Sequence, residues 1–212
     1  MIGVVFFNFI FPHLIDEEHL GLVGLFQNLS IVLATFPAMG LAYVLLRFAP
    51  VWKDEEKLLR FHRFALMAVS GGLLLFGFLF FVFQSELVSW YAGRSALFLP
   101  YAFLIVPLVA IVTYTQYLEL FAMIKMRVAV PAFLREIVTR VLLVILLYAF
   151  AFQWINETQW VYGLVLVYAI AAILLIAYAV KVLQFRMADS ACFYETKQER
   201  NEILGYAGTM LL

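Results

Sequence analysis

Long apolar stretches separated by short polar connections make up most of the chain. A helix of about 20 apolar residues is long enough to cross ~30 Å of hydrocarbon. The stretches also lack the ~10-residue alternating pattern that is typical of strands in a membrane barrel. The pattern therefore predicts an all-α, polytopic transmembrane bundle of about six spans. The stretches are residues 1–15, 20–46, 64–83, 97–118, 131–152 and 160–183, and a seventh begins near Ile203.

The composition supports a membrane protein rather than a soluble one. Of the 212 residues, 66% are hydrophobic and 13% are charged, whereas a soluble domain is about half apolar and a quarter charged. Too little polar surface remains to cover a water-soluble globule. The formal net charge is zero, so no global field attracts nucleic acid, and we expect no nucleic-acid partner.

The basic residues lie almost entirely in alternate connections. Of the 14 Lys and Arg residues, all except Arg94 lie in or beside the connections that follow the second, fourth and sixth stretches. The positive-inside rule makes these connections cytoplasmic and therefore places the N-terminus in the cytoplasm. Trp52 at the inner boundary and Trp90, Trp154 and Trp160 at the outer one agree, because tryptophan favours the headgroup level.

Ionisable residues within the stretches are the first candidates for function. A helix that begins at Pro131 and rises 1.5 Å per residue places Arg140 roughly 13 Å into the membrane, where an ionised group needs a partner or water. Glu136 precedes Arg140 by four residues, the favourable order for an ion pair on one helix. Glu119, near the end of the preceding stretch, is a second candidate partner. Two interpretations stay open: a structural ion pair joining spans four and five, and the lining of a cavity that receives an anionic substrate.

Other residues in the stretches support more ordinary interpretations. Arg135 and Arg47 lie nearer the interface, where snorkelling or contact with lipid phosphate is the usual role. Pro37 and Pro107 each remove one backbone hydrogen bond and favour a kink, so both are candidate hinges. A ridge of small residues every fourth position predicts close helix packing. The ridge is Ser30, Ala34, Ala38 and Ala42. Uncharged polar residues are interpreted as bonding between helices. They are Asn8, Gln27, Asn28, Thr113, Thr115 and Gln116.

No catalytic or metal-binding motif is present in the sequence. It contains no glycine-rich phosphate loop, no HExxH and no Ser/His/Asp arrangement in the required context. Cys192 is the only cysteine, and the spacing of the histidines does not match a metal site. We therefore predict no enzymatic activity, no cofactor and no metal, and we interpret His13, His19 and His62 as surface or interfacial residues.

Four short segments carry a resemblance to a known family. They are FPHLIDEEHLGL at 11–22, GLAYVLLRFAP at 40–50, PAFLREIVTR at 131–140 and NEILGYA at 201–207. In order, spacing and sidedness they resemble the bacterial oligosaccharide and polysaccharide flippases of the multidrug and oligosaccharidyl-lipid exporter superfamily. They correspond there to the turn between spans one and two, the end of span two, the start of span five and the entry to span seven.

The resemblance implies a transporter of two six-helix lobes around a central cavity in the bacterial inner membrane. By alternating access, such a protein moves a lipid-pyrophosphate-linked oligosaccharide from the cytoplasmic to the outer leaflet. Residues 1–186 would form the N-terminal lobe with a shortened first span, 187–202 a cytoplasmic linker, and 203–212 the start of span seven. The missing C-terminal lobe would then be a partner, together with membrane lipids, and the chain would be a fragment.

The resemblance also assigns roles to the charged residues. A pyrophosphate needs cationic partners, and arginine offers a planar, permanently charged fork to phosphate oxygens. Arg140, Arg135 and Arg47 are therefore the expected substrate-binding residues, and Glu119 and Glu136 are expected to hold them in place.

Three other functions remain as alternatives. A drug or metabolite exporter of the same superfamily would be favoured by a predominance of acidic residues in the cavity. A membrane-embedded enzyme of glycan or lipid synthesis has the acidic loop at 16–19 as its only candidate site. A scaffold without transport activity is the third alternative.

Overall fold

A computed structural model describes residues 17–38, 40–49, 55–84, 86, 98–182, 201–203 and 205. The predicted first span, at 1–15, lies outside the described residues. So do most of the predicted linker and most of the predicted seventh span.

The described elements are all helical. A 3₁₀-helix (Leu99–Leu104) leads directly into α4, and a π-helical turn (Leu134–Val138) joins α5 to α6. The seven α-helices are α1 (Glu17–Ala38), α2 (Leu41–Phe48), α3 (Glu55–Val82), α4 (Ile105–Ile124), α5 (Ala129–Phe133), α6 (Thr139–Ala151) and α7 (Glu157–Lys181).

Four of these helical segments are long and apolar enough to cross a membrane. Large apolar side chains cover their outward faces, and Leu74 and Phe81 are each 77% exposed. A continuous apolar surface of this kind promotes aggregation in water, whereas in a membrane it contacts the hydrocarbon chains of the lipids. The prediction of an all-α chain is confirmed, and the helices indicate a multi-pass membrane protein. The four segments are Gly21–Ala38, Glu56–Val82, Leu99–Ile124 and Glu157–Lys181.

Two predicted spans are interrupted. The stretch at 20–46 was predicted as one helix, but α1 ends at Ala38 and α2 begins at Leu41. Between them Gly40 adopts φ 65°, a left-handed conformation that glycine adopts without steric cost. The stretch at 131–152 is helical throughout, but its α-helical pattern is interrupted by the π turn. The break at Gly40 lies three residues after Pro37, where a kink is predicted, whereas no feature of the sequence predicted the π turn.

Local hydrogen bonds mark the end of α4 and the start of α7. At the start of α7, the Asn156 backbone N–H donates to Gln159 Oε1 at 3.0 Å as half of a capping box, which satisfies donors that have no partner within the helix. After α4, Met126 adopts φ 57°, and the Arg127 N–H donates to the Ala122 carbonyl at 2.9 Å. A left-handed residue with such a bond commonly ends a helix.

The central helix of the bundle is α4. It packs against α1, α2, α3 and α7, and 50% of its membrane-spanning segment is buried, compared with 17–33% for the other three segments. A helix that is apolar and buried on most sides is typical of the interior of a bundle. Pro107 lies in its first turn, just after the 3₁₀-helix. The position at which a kink is predicted therefore lies close to the change of helix type, and proline cannot donate a hydrogen bond to the preceding turn.

Two groups of buried side chains show that α1, α4 and α7 run in one direction and α3 in the other. Leu45, Phe61, Phe121 and Ala179 pack together at one end of the bundle. This is the end at which the connections rich in Lys and Arg lie. The second group fills the opposite ends of α1, α4 and α7. Ile203, at 0% exposure, joins the first group, so the start of the predicted seventh span packs at the basic end.

Two aromatic residues predicted at interfaces are buried instead. Trp160 is 1% exposed, and its ring centroid lies 5.3 Å from those of His19 and Phe150. It packs in the core of the bundle, in the first turn of α7. His62 is 0% exposed, and its Nδ1 lies 2.6 Å from the Tyr117 hydroxyl oxygen of α4. The surface prediction for His62 is wrong because a neighbouring helix supplies a hydrogen bond that compensates for burial.

The helices α1 and α3 approach each other closely at Gly72. A Cβ placed there would lie 2.9 Å from the Pro37 carbonyl oxygen and 3.1 Å from the Pro37 Cα. Small residues allow such approaches between membrane helices. On the same helix as Pro37, Ser30 and Ala34 of the predicted ridge are 2% and 0% exposed, in agreement with a packing role.

We expect the substitution Gly72→Ala to destabilise the bundle by about 1–3 kcal/mol, because the added methyl group would push the backbones of α1 and α3 apart. Gly71→Ala is the matched control, since nothing lies within 4 Å of a Cβ at Gly71. Reversible unfolding in mixed micelles measures both free energies. Equal effects of the two substitutions would contradict a close contact at Gly72.

Candidate functional site

The π turn positions two of the predicted site residues, Arg135 and Glu136. In this turn the Thr139 backbone N–H donates to the Leu134 carbonyl, five residues earlier. The Thr139 hydroxyl donates to the same carbonyl oxygen at 3.2 Å. Short π turns inside α-helices occur frequently at functional sites. The next residue after Thr139 is Arg140, so three candidate residues are grouped around this irregular turn.

Four predicted site residues form one continuous chain of ion pairs, which we call the ion-pair chain: Glu119, Arg135, Glu136 and Arg140. Arg135 Nη1 lies 2.7 Å from Glu119 Oε2, and Arg135 Nε lies 3.3 Å from Glu136 Oε1. Arg140 Nη2 lies 2.6 Å from Glu136 Oε2, which is the predicted i,i+4 pair.

The partner of Glu119 differs from the one predicted. The sequence suggested Arg140, but Glu119 pairs with Arg135. The antiparallel geometry explains the difference. Glu119 lies five residues before the end of α4, and Arg135 lies six residues after the start of α5, so the two side chains are at nearly the same depth. Arg140 is more than a helical turn deeper.

The ion-pair chain has balanced charge but an excess of hydrogen-bond donors. Each guanidinium carries five N–H groups, and the ion pairs engage two nitrogen atoms of Arg135 and one of Arg140. Both carboxylate oxygens of Glu136 are engaged. The Arg135 side chain is 60% exposed and the Arg140 side chain 31%. Within the part of the chain that the structure describes, both guanidiniums therefore retain donors for a ligand.

The ion-pair chain lines a cavity of about 350 Å³, which we call the first cavity. Its wall combines α1, α4, the π turn, α6 and α7. A cavity of this size with a few convergent polar groups is typical of a small-molecule site. Both interpretations of Arg140 are thus compatible, since its ion pair is part of a cavity wall. Uncharged polar groups also line the wall: Gln27, Ser30, Thr115, Gln116, Thr139 and Tyr168.

A second cavity, of about 580 Å³, adjoins the first. It lies between α1, α2 and α4 and is lined by Gly40 at the break between α1 and α2. The two cavities share Ile31, Gln116, Glu119 and Arg135. The Glu119–Arg135 ion pair therefore lies where the two cavities meet.

The other predicted site residues lie elsewhere. Among the described residues, Arg47 is not one of those lining either cavity. It belongs to the last turn of α2, and its guanidinium carbon lies 5.6 Å from the Phe48 ring centroid. Pro37 packs on Gly72, and Pro107 is exposed in the first turn of α4. A substrate-binding role for Arg47 and hinge roles for the two prolines stay predictions.

The uncharged part of the site was largely missed from the sequence. Gln27, Thr115 and Gln116 were interpreted as bonding between helices, yet all three line the first cavity, and the Thr115 hydroxyl donates within its own helix to the Ile111 carbonyl. Tyr168 was not singled out at all. A tyrosine in an apolar helix is too common to signal a site, and only the packing of α7 reveals that it lines the cavity.

We predict that Thr139→Val will destabilise the bundle by about 0.6 kcal/mol, because it removes a hydroxyl hydrogen bond in the membrane while conserving shape. Thr139→Ser keeps the hydroxyl and should cost less. Unfolding in mixed micelles compares the two variants. A larger loss for the serine variant would show that the methyl group, and not the hydrogen bond to Leu134, supports the turn.

The whole chain was also compared with known proteins. No protein-family model, no curated protein and no solved structure matches it. The geometry of the ion-pair chain and of its cavity is therefore the basis for a functional proposal.

Proposed function

We propose that the chain is the N-terminal lobe of a bacterial inner-membrane transporter that moves a lipid-linked oligosaccharide, a precursor of a polysaccharide, to the outer leaflet by alternating access. The observation that carries the proposal is the pair of donor-rich guanidiniums, Arg135 and Arg140, in a cavity between membrane helices. The resemblance in the sequence supplies the identity of the substrate, a lipid-pyrophosphate-linked sugar.

The position of Glu136 supports a phosphoryl ligand. Its two carboxylate oxygens bind Arg135 and Arg140, one each, so a single small anionic group already contacts both guanidiniums. A phosphoryl group presents oxygen atoms in a similar way, and its hydrogen bonds to arginine are strong because both partners are charged. The site therefore suits a pyrophosphate that bridges Arg135 and Arg140.

The rest of the first cavity suits an amphiphilic substrate. Gln27, Gln116 and Tyr168 offer hydrogen-bonding groups for sugar hydroxyls, and Leu143 and Leu175 add apolar surface beside them. A purely ionic ligand would not need this apolar surface. A substrate with a sugar, an anionic linkage and a lipid tail can use all three kinds of surface.

The depth of the ion-pair chain agrees with a cytoplasmic entrance. Glu119 and Arg135 lie near the connection between α4 and α5, which carries Lys125 and Arg127. The proposed six spans are the four apolar segments together with the stretch at 1–15 and the helical run 129–151. In this arrangement the connection between α4 and α5 is cytoplasmic. A substrate made in the cytoplasm would then meet the arginines first.

An exporter of cationic drugs is less well supported. Its cavity should carry an excess of acidic residues, whereas two arginines balance two glutamates in the ion-pair chain. The loop at 16–19, the candidate for an enzyme of glycan synthesis, lies partly outside the described residues.

The proposed orientation can be tested with single cysteines in a Cys192→Ser background, since the chain contains no other cysteine. Trp154, 79% exposed after α6, and Met126, 90% exposed after α4, lie in opposite connections. We expect a membrane-impermeant maleimide added to intact cells to label Trp154→Cys but not Met126→Cys. The reverse pattern would invert the topology and reject a cytoplasmic entrance near Arg135.

We predict that Arg140→Ala in the full-length protein will abolish export of the glycan, measured as surface polysaccharide in its own host, while the protein still inserts. The reason is that one of the two guanidiniums would be lost from the phosphoryl site. Arg60→Ala is the matched control, because Arg60 forms an i,i+4 ion pair with Glu56 on an exposed face of α3 and does not line the first cavity. Normal export by the Arg140 variant would reject the proposed site.

A further inference from the structure

Within the ion-pair chain, Glu119 is held differently from Glu136. Its carboxylate makes one ion pair, to Arg135, whereas Glu136 binds Arg135 with one oxygen and Arg140 with the other. Glu119 lies on α4, across an interhelical contact, whereas Glu136 and Arg140 are four residues apart on one helical segment. A ligand anion that displaces the Glu119 carboxylate breaks one ion pair, whereas one that displaces the Glu136 carboxylate breaks two.

A ligand anion at this site needs such an exchange. The two arginines and two glutamates of the ion-pair chain sum to zero charge, so an added anion leaves a surplus negative charge among apolar helices. Uncompensated charge in such surroundings costs several kcal/mol. The repulsion between the two anions falls if one carboxylate moves away from the guanidinium that the ligand takes and is hydrogen-bonded elsewhere.

The second cavity gives Glu119 a place to withdraw to. Glu119 lines both cavities, and its side chain is only 18% exposed, so solvent outside the bundle is not its nearest polar surrounding. Tyr43 and Gln116 line the second cavity and can donate hydrogen bonds there, whereas the Thr35 hydroxyl already donates to the Val32 carbonyl.

We propose that Glu119 is an internal competitor for the ligand's phosphoryl group at Arg135, and that binding of the ligand turns the Glu119 carboxylate into the second cavity. This inference rests on the proposed function, because it requires an anion to bind at Arg135 and Arg140. The inference gives Glu119 a role in ligand binding, whereas its ion pair alone would indicate only structural support.

A double-mutant cycle tests the competition directly. Binding of inorganic pyrophosphate to the purified chain in detergent is measured by calorimetry for the wild type, E119Q, R135Q and the double variant. We expect E119Q to bind about tenfold more tightly than the wild type, which is 1.4 kcal/mol. In the R135Q background the same change should give no gain, because no guanidinium remains for Glu119 to occupy. A coupling of this size between contacting residues is measurable.

Glu136→Gln is the matched control, since it removes the same charge from the same site. The change in pyrophosphate affinity that it causes should persist in the R135Q background, because Glu136 also forms an ion pair with Arg140. If the gain from E119Q also persists in the R135Q background, the effect is general electrostatics and the competition is rejected.

Gel filtration and circular dichroism verify folding. Glu119→Asp, which draws the carboxylate back from Arg135, replaces E119Q if that variant does not fold. A smaller gain is expected for the aspartate.

The outcomes separate the inference from the proposed function. If the wild type binds pyrophosphate, R135Q weakens binding and E119Q does not tighten it, the competition is overturned and the phosphoryl site stands. If neither the wild type nor any variant binds pyrophosphate, the phosphoryl site and the competition are both overturned.

Discussion

An ionised side chain among membrane helices needs an opposite charge or water beside it, and this constraint determines where α4 meets the π turn. The free-energy cost of an uncompensated charge is several kcal/mol, more than most single contacts between helices contribute. The Glu119–Arg135 ion pair satisfies both residues at once. It also fixes the depth at which the segment from α5 to α6 lies against the central helix, and both cavities take their common wall from this contact.

The central position of α4 makes that contact matter for the rest of the bundle. Because α4 packs against α1, α2, α3, α5 and α7, a residue on it is rarely far from several neighbours. Tyr117, two residues before Glu119, binds His62 of α3 on one side and lines the second cavity. Glu119 faces Arg135 and both cavities. The site is therefore built on the least exposed helix, with the more exposed π turn facing it.

The sequence predicted the features that depend on local composition, and it failed where tertiary contacts decide. The apolar stretches, the grouping of basic residues and the Glu136–Arg140 pair all follow from spacing along one helix. The Glu119–Arg135 pair depends on how two antiparallel helices align. The π turn has a hydrogen-bond pattern that no residue type in the sequence predicts. His62 was misplaced for the same reason, because burial depends on which helix lies opposite.

The break at Gly40 gives the second cavity a jointed wall. Gly40 lines that cavity together with Tyr43 on α2, so the wall continues from α1 into a short helix that the left-handed Gly40 immediately precedes. Arg47 lies seven residues beyond Gly40, about 10 Å along this arm at 1.5 Å per residue. By the same geometry, a rotation of about 10° at the joint displaces the arginine by about 2 Å. A movement of α2 about this joint would therefore displace a cation at the end of the bundle where the basic connections lie.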